Sequence, residues 1–351
     1  MSFSFVSRAG SALPAAVLLL AGAASTPAAA TAIDGLQVMR EHNLVVLGSA
    51  QTRHDVEGRT YVGGSLAGTG TFNKGGSGTQ AASTRPVLTV GGSIGGGYKN
   101  IQGGGTIEAG GSVEHLNLNG TYTVRAGGAI NIQNRNQSTF ESGANVSIPY
   151  FAGDMYELST SLAALADTGG SFGKEGQSRT VNPVAVDGVA VMNVADLGAL
   201  LASNGNDIIG SIKFANGSDA FDTIVMNVGG TSFSFDDNFI GGSIGLAGTV
   251  IWNFYEATTL AFNREFFGSV LAPLAHITNN SPINGTGVFG SATLNGEMHL
   301  SSYGGTGLSF SPPVVIDEPL DPVPAPGALA LLALGLGGIA LRRRAAPAVS
   351  N

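Results

Sequence analysis

The chain has 351 residues, of which 54 are glycine and only 11% are charged, whereas 43% are hydrophobic, a composition that excludes a disordered chain and is unusual for an enzyme. It contains no cysteine, which excludes disulfides, thiolate metal sites, a cysteine nucleophile and a lipoprotein anchor. The formal net charge of −8 argues against a nucleic-acid partner, because an acidic protein repels a phosphate backbone.

The first 32 residues have the features of a secretory signal peptide. Arg8 supplies an early positive charge, and an apolar run follows over residues 12–24. Ala28 and Ala30 give the small-x-small pattern that signal peptidase reads, and cleavage after Ala30 or two residues later fits equally well. An uncleaved membrane helix is the alternative, but the run is short and interrupted by a proline. We therefore expect the protein to be exported.

A short phrase recurs through the first half of the remaining chain. It consists of an apolar residue, two glycines, a serine or alanine, and an aliphatic residue. The second glycines of four successive copies lie 28, 19 and 17 residues apart, which is typical of one coil of a β-solenoid plus variable loops. The copies are found at residues 61–66, 89–94, 108–113 and 125–130, with a degenerate copy at 240–244.

Each phrase predicts a strand followed by a turn. Leu88 and Val90 can point into a core while Thr89 points outward, because successive side chains lie on opposite faces of a strand. We expect the glycine pairs to supply positive φ and to let stacked coils approach closely. Several coils must then stack to bury their apolar faces. The alternative is that the glycine pairs are hairpin turns of an antiparallel sandwich.

The apolar spacing becomes helical after Pro149. An apolar residue recurs every three or four positions between Phe151 and Leu165, which predicts a helix with Asp154 as its cap. We expect this helix to cover the open side of the strand stack. A second, short helix is predicted over residues 194–202, with Asn193 as its cap.

Strands return in the second half of the chain. Most of them alternate polar and apolar residues or carry short apolar runs between turn residues. They are predicted at residues 44–48 near the start and at 211–214, 223–228, 231–235, 249–254, 259–262, 267–271 and 289–294.

Residues 249–299 resemble the closing part of the bacterial choice-of-anchor A domain. That resemblance implies a mainly β fold, a right-handed β-solenoid of the ice-binding-like type with one long α-helix packed alongside, over residues 33–310. The resemblance implies no catalytic residue and no cofactor. The segments that carry it are Ile-Trp-Asn-Phe at 251–254, Gly-Ser-Val-Leu-Ala-Pro at 268–273, Asn-Gly-Thr at 284–286 and Asn-Gly-Glu-Met-His at 295–299, together with residues 224–230, which resemble an earlier strand of the family.

The C-terminus resembles a PEP-CTERM-type sorting signal, a tripartite tail recognised by an exosortase. It spans residues 324–344, follows a proline-rich acidic linker at 311–323 and precedes a short cytoplasmic tail at 345–351. Ala325 stands where the commonest form of the signal has glutamate. The apolar run at 328–341 is just long enough to enter a membrane, and a plain membrane anchor is the alternative. The signal residues are Val323, Pro324, Pro326, Gly327, Arg342, Arg343 and Arg344.

Two compact clusters of titratable residues are candidates for a catalytic or metal-binding role. They are His54-Asp55 and Asp236-Asp237, and paired carboxylates can hold Ca²⁺ or share acid and base roles. Neighbouring residues on a strand face opposite ways, so we assign no catalytic, cofactor or metal residue to either cluster. The sequence does not decide whether a Ca²⁺ site exists. The five histidines have no metal-ligand spacing; they are His42, His54, His115, His276 and His299.

Together these features predict an exported, surface-anchored adhesive or matrix protein of a Gram-negative bacterium, without catalytic activity. Signal peptidase and an exosortase would act on it in transit, and its partners would be exopolysaccharide or surface glycans. Two alternatives are a carbohydrate-active β-helix enzyme and an ice-binding protein. For ice binding the candidate threonine pairs are Thr69 with Thr71 and Thr121 with Thr123.

Overall fold

Short strands with alternating burial dominate the computed structural model of the chain, which describes residues 34–204, 208–215, 220–241 and 243–310. The predicted signal peptide, linker, sorting signal and tail lie outside the described residues. The helices are α1 (Gly35–Glu41), α2 (Ala152–Ala163) and α3 (Leu197–Leu201), with a 3₁₀ turn at Ser243–Leu246.

The strands of the first half are β1 (Leu44–Val46), β2 (Ala50–Thr52), β3 (Thr60–Val62), β4 (Leu66–Gly68), β5 (Gly70–Phe72), β6 (Leu88–Val90), β7 (Lys99–Gln102), β8 (Gly105–Ala109), β9 (Val113–Glu114), β10 (Leu116–Asn119), β11 (Tyr122–Ala126), β12 (Ile130–Asn131) and β13 (Thr139–Ser142). Those of the second half are β14 (Ser171–Glu175), β15 (Ser178–Asn182), β16 (Ala185–Val186), β17 (Val189–Val194), β18 (Ser211–Phe214), β19 (Thr223–Val228), β20 (Ser232–Phe235), β21 (Asn238–Phe239), β22 (Val250–Asn253), β23 (Thr259–Phe262), β24 (Phe266–Phe267), β25 (Ser269–Asn279), β26 (Ile283–Asn284), β27 (Gly287–Leu294) and β28 (Met298–His299).

The main sheet does not follow the order of the chain. Its strands run β13-β11-β8-β6-β3-β1-β27-β25-β22-β19-β17-β16, so the first strand lies beside the last long one. The first half of the chain therefore runs from the middle of the sheet, at β1, to one end, at β13. The second half runs from the other end, at β16, back to the middle, at β27. Among the described strands, pairing is parallel except between β14 and β15 and between β16 and β17. The alternative of an antiparallel sandwich is thus wrong for the glycine phrases.

The glycine phrases form the corners of the stack. Gly63 and Gly91 are not among the glycines with positive φ, nor are the paired glycines of the other two regular phrases, so the expectation of positive φ is wrong for these four copies. In the degenerate copy, Gly241 has a φ of 74°. Close approach is the physical reason instead, since a Cβ at Gly91 would lie 2.0 Å from the Gly63 carbonyl oxygen. The same clash recurs one strand further, where a Cβ at Gly110 would lie 2.1 Å from the Gly91 oxygen. The degenerate copy at 240–244 differs, because its serine begins the 3₁₀ turn.

Several central strands are buried on both faces. All six residues of β19 are buried, and all four of β22, which explains their continuous apolar runs. One face packs inside the stack around Trp252 and a group of phenylalanines. The other face packs against α1 and α2, where Val225 and Ile251 meet Met155 and Leu162. Two apolar cores thus share one sheet.

Helix α2 carries the chain back along the stack. The Tyr61 hydroxyl in β3 donates to the Pro149 carbonyl at 2.8 Å, just before the helix. Near the end of the helix, the Asn227 amide in β19 donates to the Leu162 carbonyl at 2.7 Å. The apolar stripe predicted for residues 151–165 is therefore confirmed as the packed face. The helix has twelve residues, which is shorter than the long helix that the family resemblance implies. The prediction of Asp154 as its cap is wrong, because Phe151 occupies the cap position and Asp154 lies in the first turn.

The other strands and the second helix predicted for the described residues are present, with local corrections. The short helix begins at Leu197 rather than 194, and its cap is Asp196, whose carboxylate accepts from the Ala199 amide at 2.9 Å. Val194 belongs to β17 instead. The strand predicted at 267–271 is divided at Gly268, which has a φ of 114°. Helix α1 and the hairpin of β14 and β15 were not predicted, because neither has a long periodic pattern.

Candidate binding surface

A row of small polar side chains crosses six neighbouring strands. In register, Ser232 pairs with Thr259, Thr259 with His276, and His276 with Ser291. The residues between them in each strand, such as Phe233 and Leu260, are buried. The same alternation continues across β2 and β4. We call this face the polar strip; it consists of Ser232, Ser234, Thr259, Ala261, His276, Thr278, Ser291, Thr293, Gln51 and Ala67.

The polar strip is regular because backbone pairing fixes it. Neighbouring parallel strands lie about 4.8 Å apart, so six strands give a face roughly 24 Å wide. Side chains two positions apart along one strand are separated by about 6.6 Å. The strip carries hydroxyl, amide and methyl groups, and its one titratable side chain, His276, accepts or donates to the Ser291 hydroxyl at 2.8 Å. Such a face can make many weak hydrogen bonds to an extended neutral partner.

The threonine pairs named from the sequence lie elsewhere. Thr71 belongs to β5 in a separate three-stranded sheet, and Thr123 belongs to β11, where the Thr139 hydroxyl donates to it at 3.2 Å. The threonines of the polar strip were not singled out, because each stands alone in its own strand. The signal that could have found them is the alternation of polar and apolar residues in the segments that contain Thr278 and Thr293.

Asp236 and Asp237 have different surroundings. Both carboxylate oxygens of Asp236 accept hydrogen bonds, from the Ser234 hydroxyl at 2.7 Å and the Asn263 amide at 2.9 Å, and these bonds lower its pKa. Burial and the nearby Asp236 charge raise the pKa of Asp237. Asp236 is exposed and serves as the end of a side-chain ladder that continues through Asn263 to Asn280. These contacts assign it an ordering role at the sheet edge.

The two other sequence features, His54-Asp55 and the motif at 295–299, meet in space. Val56 forms a bridge with Met298, and both are fully buried. Their neighbours Glu57, Glu297 and His299 consequently point outward on the two chain segments that this bridge joins. These three residues each offer one ligand atom, and the atoms lie within 4.8 Å of one another. We call them the Glu57 cluster; His54 is not one of its members.

Asp55 lies beside the Glu57 cluster and is held by other partners. Its carboxylate accepts from the Thr71 amide at 2.9 Å and forms an ion pair with Lys74 at 2.8 Å. Burial raises the pKa of Asp55, but the bonds to Lys74 and Thr71 outweigh this and lower it. Lys74 also approaches Glu297, at 3.9 Å.

The other histidines are separated from one another. His42 is 2% exposed, and its Nδ1 bonds the Val38 carbonyl at 2.9 Å. His115 has a φ of 55° and packs edge-on against the exposed Tyr98, with ring centroids 5.0 Å apart. The two rings line a shallow surface pocket with Glu114 and two amide side chains.

Within the part of the chain that the structure describes, no helix combines the length and hydropathy required to cross a membrane.

Comparison with known proteins gives one family and one solved structure. No curated protein matches the chain. An ice-binding protein from an Antarctic bacterium of the Flavobacteriaceae is similar in structure, at 13% identity over 75% of this chain and 82% of that chain, with a TM-score of 0.27. The family model for the ice-binding-like adhesive domain matches residues 35–300. Because this match spans well over half of the sequence, the chain belongs to the ice-binding-like adhesive domain family.

Proposed function

We propose that this protein is an exported, surface-anchored adhesive protein that holds extended polysaccharide on its polar strip and has no catalytic activity. The observation that carries the proposal is the strip itself, a broad face of small polar groups in strict register. A single deep pocket would suit a small molecule, whereas a flat periodic face suits a polymer that offers repeated hydroxyl groups. Membership of an adhesive domain family supports the same reading.

The proposed architecture is a right-handed β-solenoid. Parallel pairing of successive passes of the chain supports it, since connections between parallel strands of one sheet are right-handed in roughly 98% of cases. The finer assignment, a choice-of-anchor A protein, rests on the motifs quoted above. In that proposal the strip is one flank of the solenoid, and α2 covers another.

The proposed route to the surface uses both ends of the chain. Signal peptidase would cleave near Ala28 and Ala30, and an exosortase would process the PEP-CTERM-type tail in a Gram-negative envelope. Fractionation of cells that produce the tagged protein tests this route. Recovery on the surface or in the matrix is expected, with loss of anchoring when Arg342, Arg343 and Arg344 are deleted. Recovery of mature protein in the cytoplasm would contradict it.

A binding array of glycans and matrix proteins tests the adhesive function. We expect saturable binding of the purified protein to one class of polysaccharide. Thr259→Lys places a long charged side chain on the second of the six strands of the strip and should abolish that binding. Thr121→Lys is the matched control, because Thr121 is an exposed threonine outside the strip. Equal binding by both variants would show that the strip is not the binding surface. Absence of binding to every probe would contradict adhesion to glycans.

Ice binding is the second candidate, and the threonine hydroxyls of the strip favour it. Thr259, Thr278 and Thr293 lie on consecutive strands, and the repeat of about 4.8 Å by 6.6 Å presents them as a two-dimensional grid. His276 and Ala261 interrupt that grid. Inhibition of ice recrystallisation that is lost in Thr259→Lys would favour this candidate over adhesion. A protein without thermal hysteresis or recrystallisation inhibition would exclude it.

A further inference from the structure

We propose that Glu57, Glu297 and His299 bind a divalent transition-metal ion of the Zn²⁺ type. One imidazole nitrogen and two carboxylate oxygens are ordinary ligands for such an ion. Their potential ligand atoms lie within 4.8 Å of one another, close enough for a single ion to contact all three after small side-chain movements. This proposal is independent of the polar strip and of its partner.

The backbone pairing holds the three side chains together. Met298 is fully buried between Glu297 and His299, so strand alternation turns both of these residues to the same outer face. Val56 pairs with Met298, and the Glu57 amide donates to the Met298 carbonyl at 3.0 Å. Glu57 and His299 come from opposite ends of the described chain, and the sheet fixes their separation.

Hydrogen bonds outside the cluster decide which imidazole nitrogen faces it. The Asn284 amide nitrogen donates to Glu265 at 2.9 Å, which leaves the Asn284 oxygen facing His299 Nδ1 at 3.1 Å. Since that oxygen can only accept, Nδ1 must carry a hydrogen. In a neutral imidazole, Nε2 then has a lone pair directed toward the carboxylates.

That lone pair meets another acceptor. His299 Nε2 lies 3.1 Å from Glu297 Oε2, so the ring nitrogen and the carboxylate oxygen face the same space. A single cation can contact both atoms there. The chain Glu265–Asn284–His299 is also the arrangement that orients metal-binding histidines, in which the second ring nitrogen donates to a fixed acceptor.

The remaining contacts leave room for a ligand bond. One oxygen of Glu57 accepts the Leu300 amide at 2.7 Å, which orients the carboxylate and leaves its other oxygen for an ion. Lys74 is the natural competitor, since its ammonium lies 3.9 Å from Glu297, but its closer partner is Asp55 at 2.8 Å. Lys74 therefore weakens the site without filling it.

The mixed ligand set distinguishes among metals. Ca²⁺ and Mg²⁺ take six or more oxygen ligands and rarely use imidazole. Zn²⁺ is commonly bound by three protein ligands that include histidine, with a fourth position left for water or a bound group. The geometry thus favours Zn²⁺ over Ca²⁺ at this place.

Titration calorimetry of the purified protein with Zn²⁺, and separately with Ca²⁺, tests the proposal. We expect one Zn²⁺ per chain, and affinity at least about tenfold lower in His299→Ala and in Glu57→Gln. His276→Ala is the matched histidine control, since His276 bonds two hydroxyls on the strip. Glu256→Gln is the matched glutamate control, because Glu256 also accepts one backbone amide. Lys74→Met should tighten binding.

Two further measurements separate binding from folding and from simple protonation. Circular dichroism of each variant must match the parent, so that a loss of affinity reports the site. Addition of Zn²⁺ should change the nitrogen chemical shift of His299 Nε2 much more than that of Nδ1. The proposal is overturned by absence of saturable Zn²⁺ binding, by unchanged affinity in His299→Ala, by preference for Ca²⁺, or by His299 nitrogen shifts that Zn²⁺ leaves unchanged.

Discussion

Asn43 and Gly285 are 242 residues apart in the sequence, yet the Asn43 amide donates to the Gly285 carbonyl at 3.0 Å. The same amide donates to the His299 carbonyl at 3.0 Å, and the Asn43 oxygen accepts from the Gly58 amide at 3.1 Å. One fully buried side chain thus joins the first pass of the chain to the last. This contact sits where β1 meets β27, at the junction between the two halves of the stack.

Replacement of Asn43 by alanine should be strongly destabilising. It leaves buried backbone groups without partners, and each such group costs about 1–3 kcal/mol, so we expect a loss of about 3 kcal/mol in the free energy of unfolding. Urea denaturation measures this. Asn117→Ala is the control, because Asn117 bonds only side chains of a half-exposed ladder and should cost less than about 1 kcal/mol. Similar losses in both variants would contradict the assigned role.

Two glycine-to-alanine substitutions should have opposite effects on the stability of the protein. Gly91→Ala should destabilise the protein by about 1–3 kcal/mol, because its Cβ would lie 2.0 Å from the Gly63 oxygen and force the strands apart. Gly153→Ala should stabilise it by about 0.5–1 kcal/mol, since Gly153 lies exposed in α2 with nothing within 4 Å of the added Cβ. Thermal unfolding of the two variants checks the difference in sign.

His42 should make the protein sensitive to acid. Burial lowers its pKa from 6.5 to about 4, against the bond to the Val38 carbonyl, which raises it. The nearby Arg59 and Arg85 charges lower the pKa further, and the Glu41 charge raises it. Between these two values the unfolded chain binds a proton that the folded chain does not, so stability falls as the pH drops through this window. The shift corresponds to about 3 kcal/mol, lost between pH 6.5 and 4.

The variant His42→Asn isolates this contribution. Its amide can still donate to the Val38 carbonyl but does not titrate, so the fall in stability between pH 6.5 and 4 should become smaller than in the parent. Urea midpoints at several pH values measure both curves. Parallel curves for parent and variant would assign the acid sensitivity to other groups.

The contact between Ser159 and Asn253 should couple α2 to the sheet. The Ser159 hydroxyl donates to the Asn253 oxygen at 2.6 Å, and the Asn253 amide donates to the Ser159 carbonyl at 2.8 Å, both within a buried region. A double-mutant cycle with alanine at each position should give a coupling energy of about 1 kcal/mol or more. The exposed pair Asn263 and Asn280, 2.8 Å apart, is the control and should couple by less than about 0.5 kcal/mol.

Strand alternation is a local property, and the sequence was sufficient to predict it. The strand at 223–228 and the helix stripe at Phe151 to Leu165 agree with the structure because each depends on the period of its own apolar residues. The predicted positive φ was wrong at the glycine pairs of the four regular phrases. A glycine kept for close approach and a glycine kept for its φ look the same in a sequence, and only the neighbouring strand distinguishes them.

By itself, the sequence determined that the protein is mainly β, that its glycine pairs recur at coil-like intervals, and that a helix interrupts the strands. The tertiary structure decided the order of the stack, because α2 returns the chain along the sheet and places β27 beside β1. That order aligns Thr259, Thr278 and Thr293 in one strip and brings Glu57 to His299. Contacts between residues so far apart in the chain depend on which strands pair, and no local pattern encodes that choice.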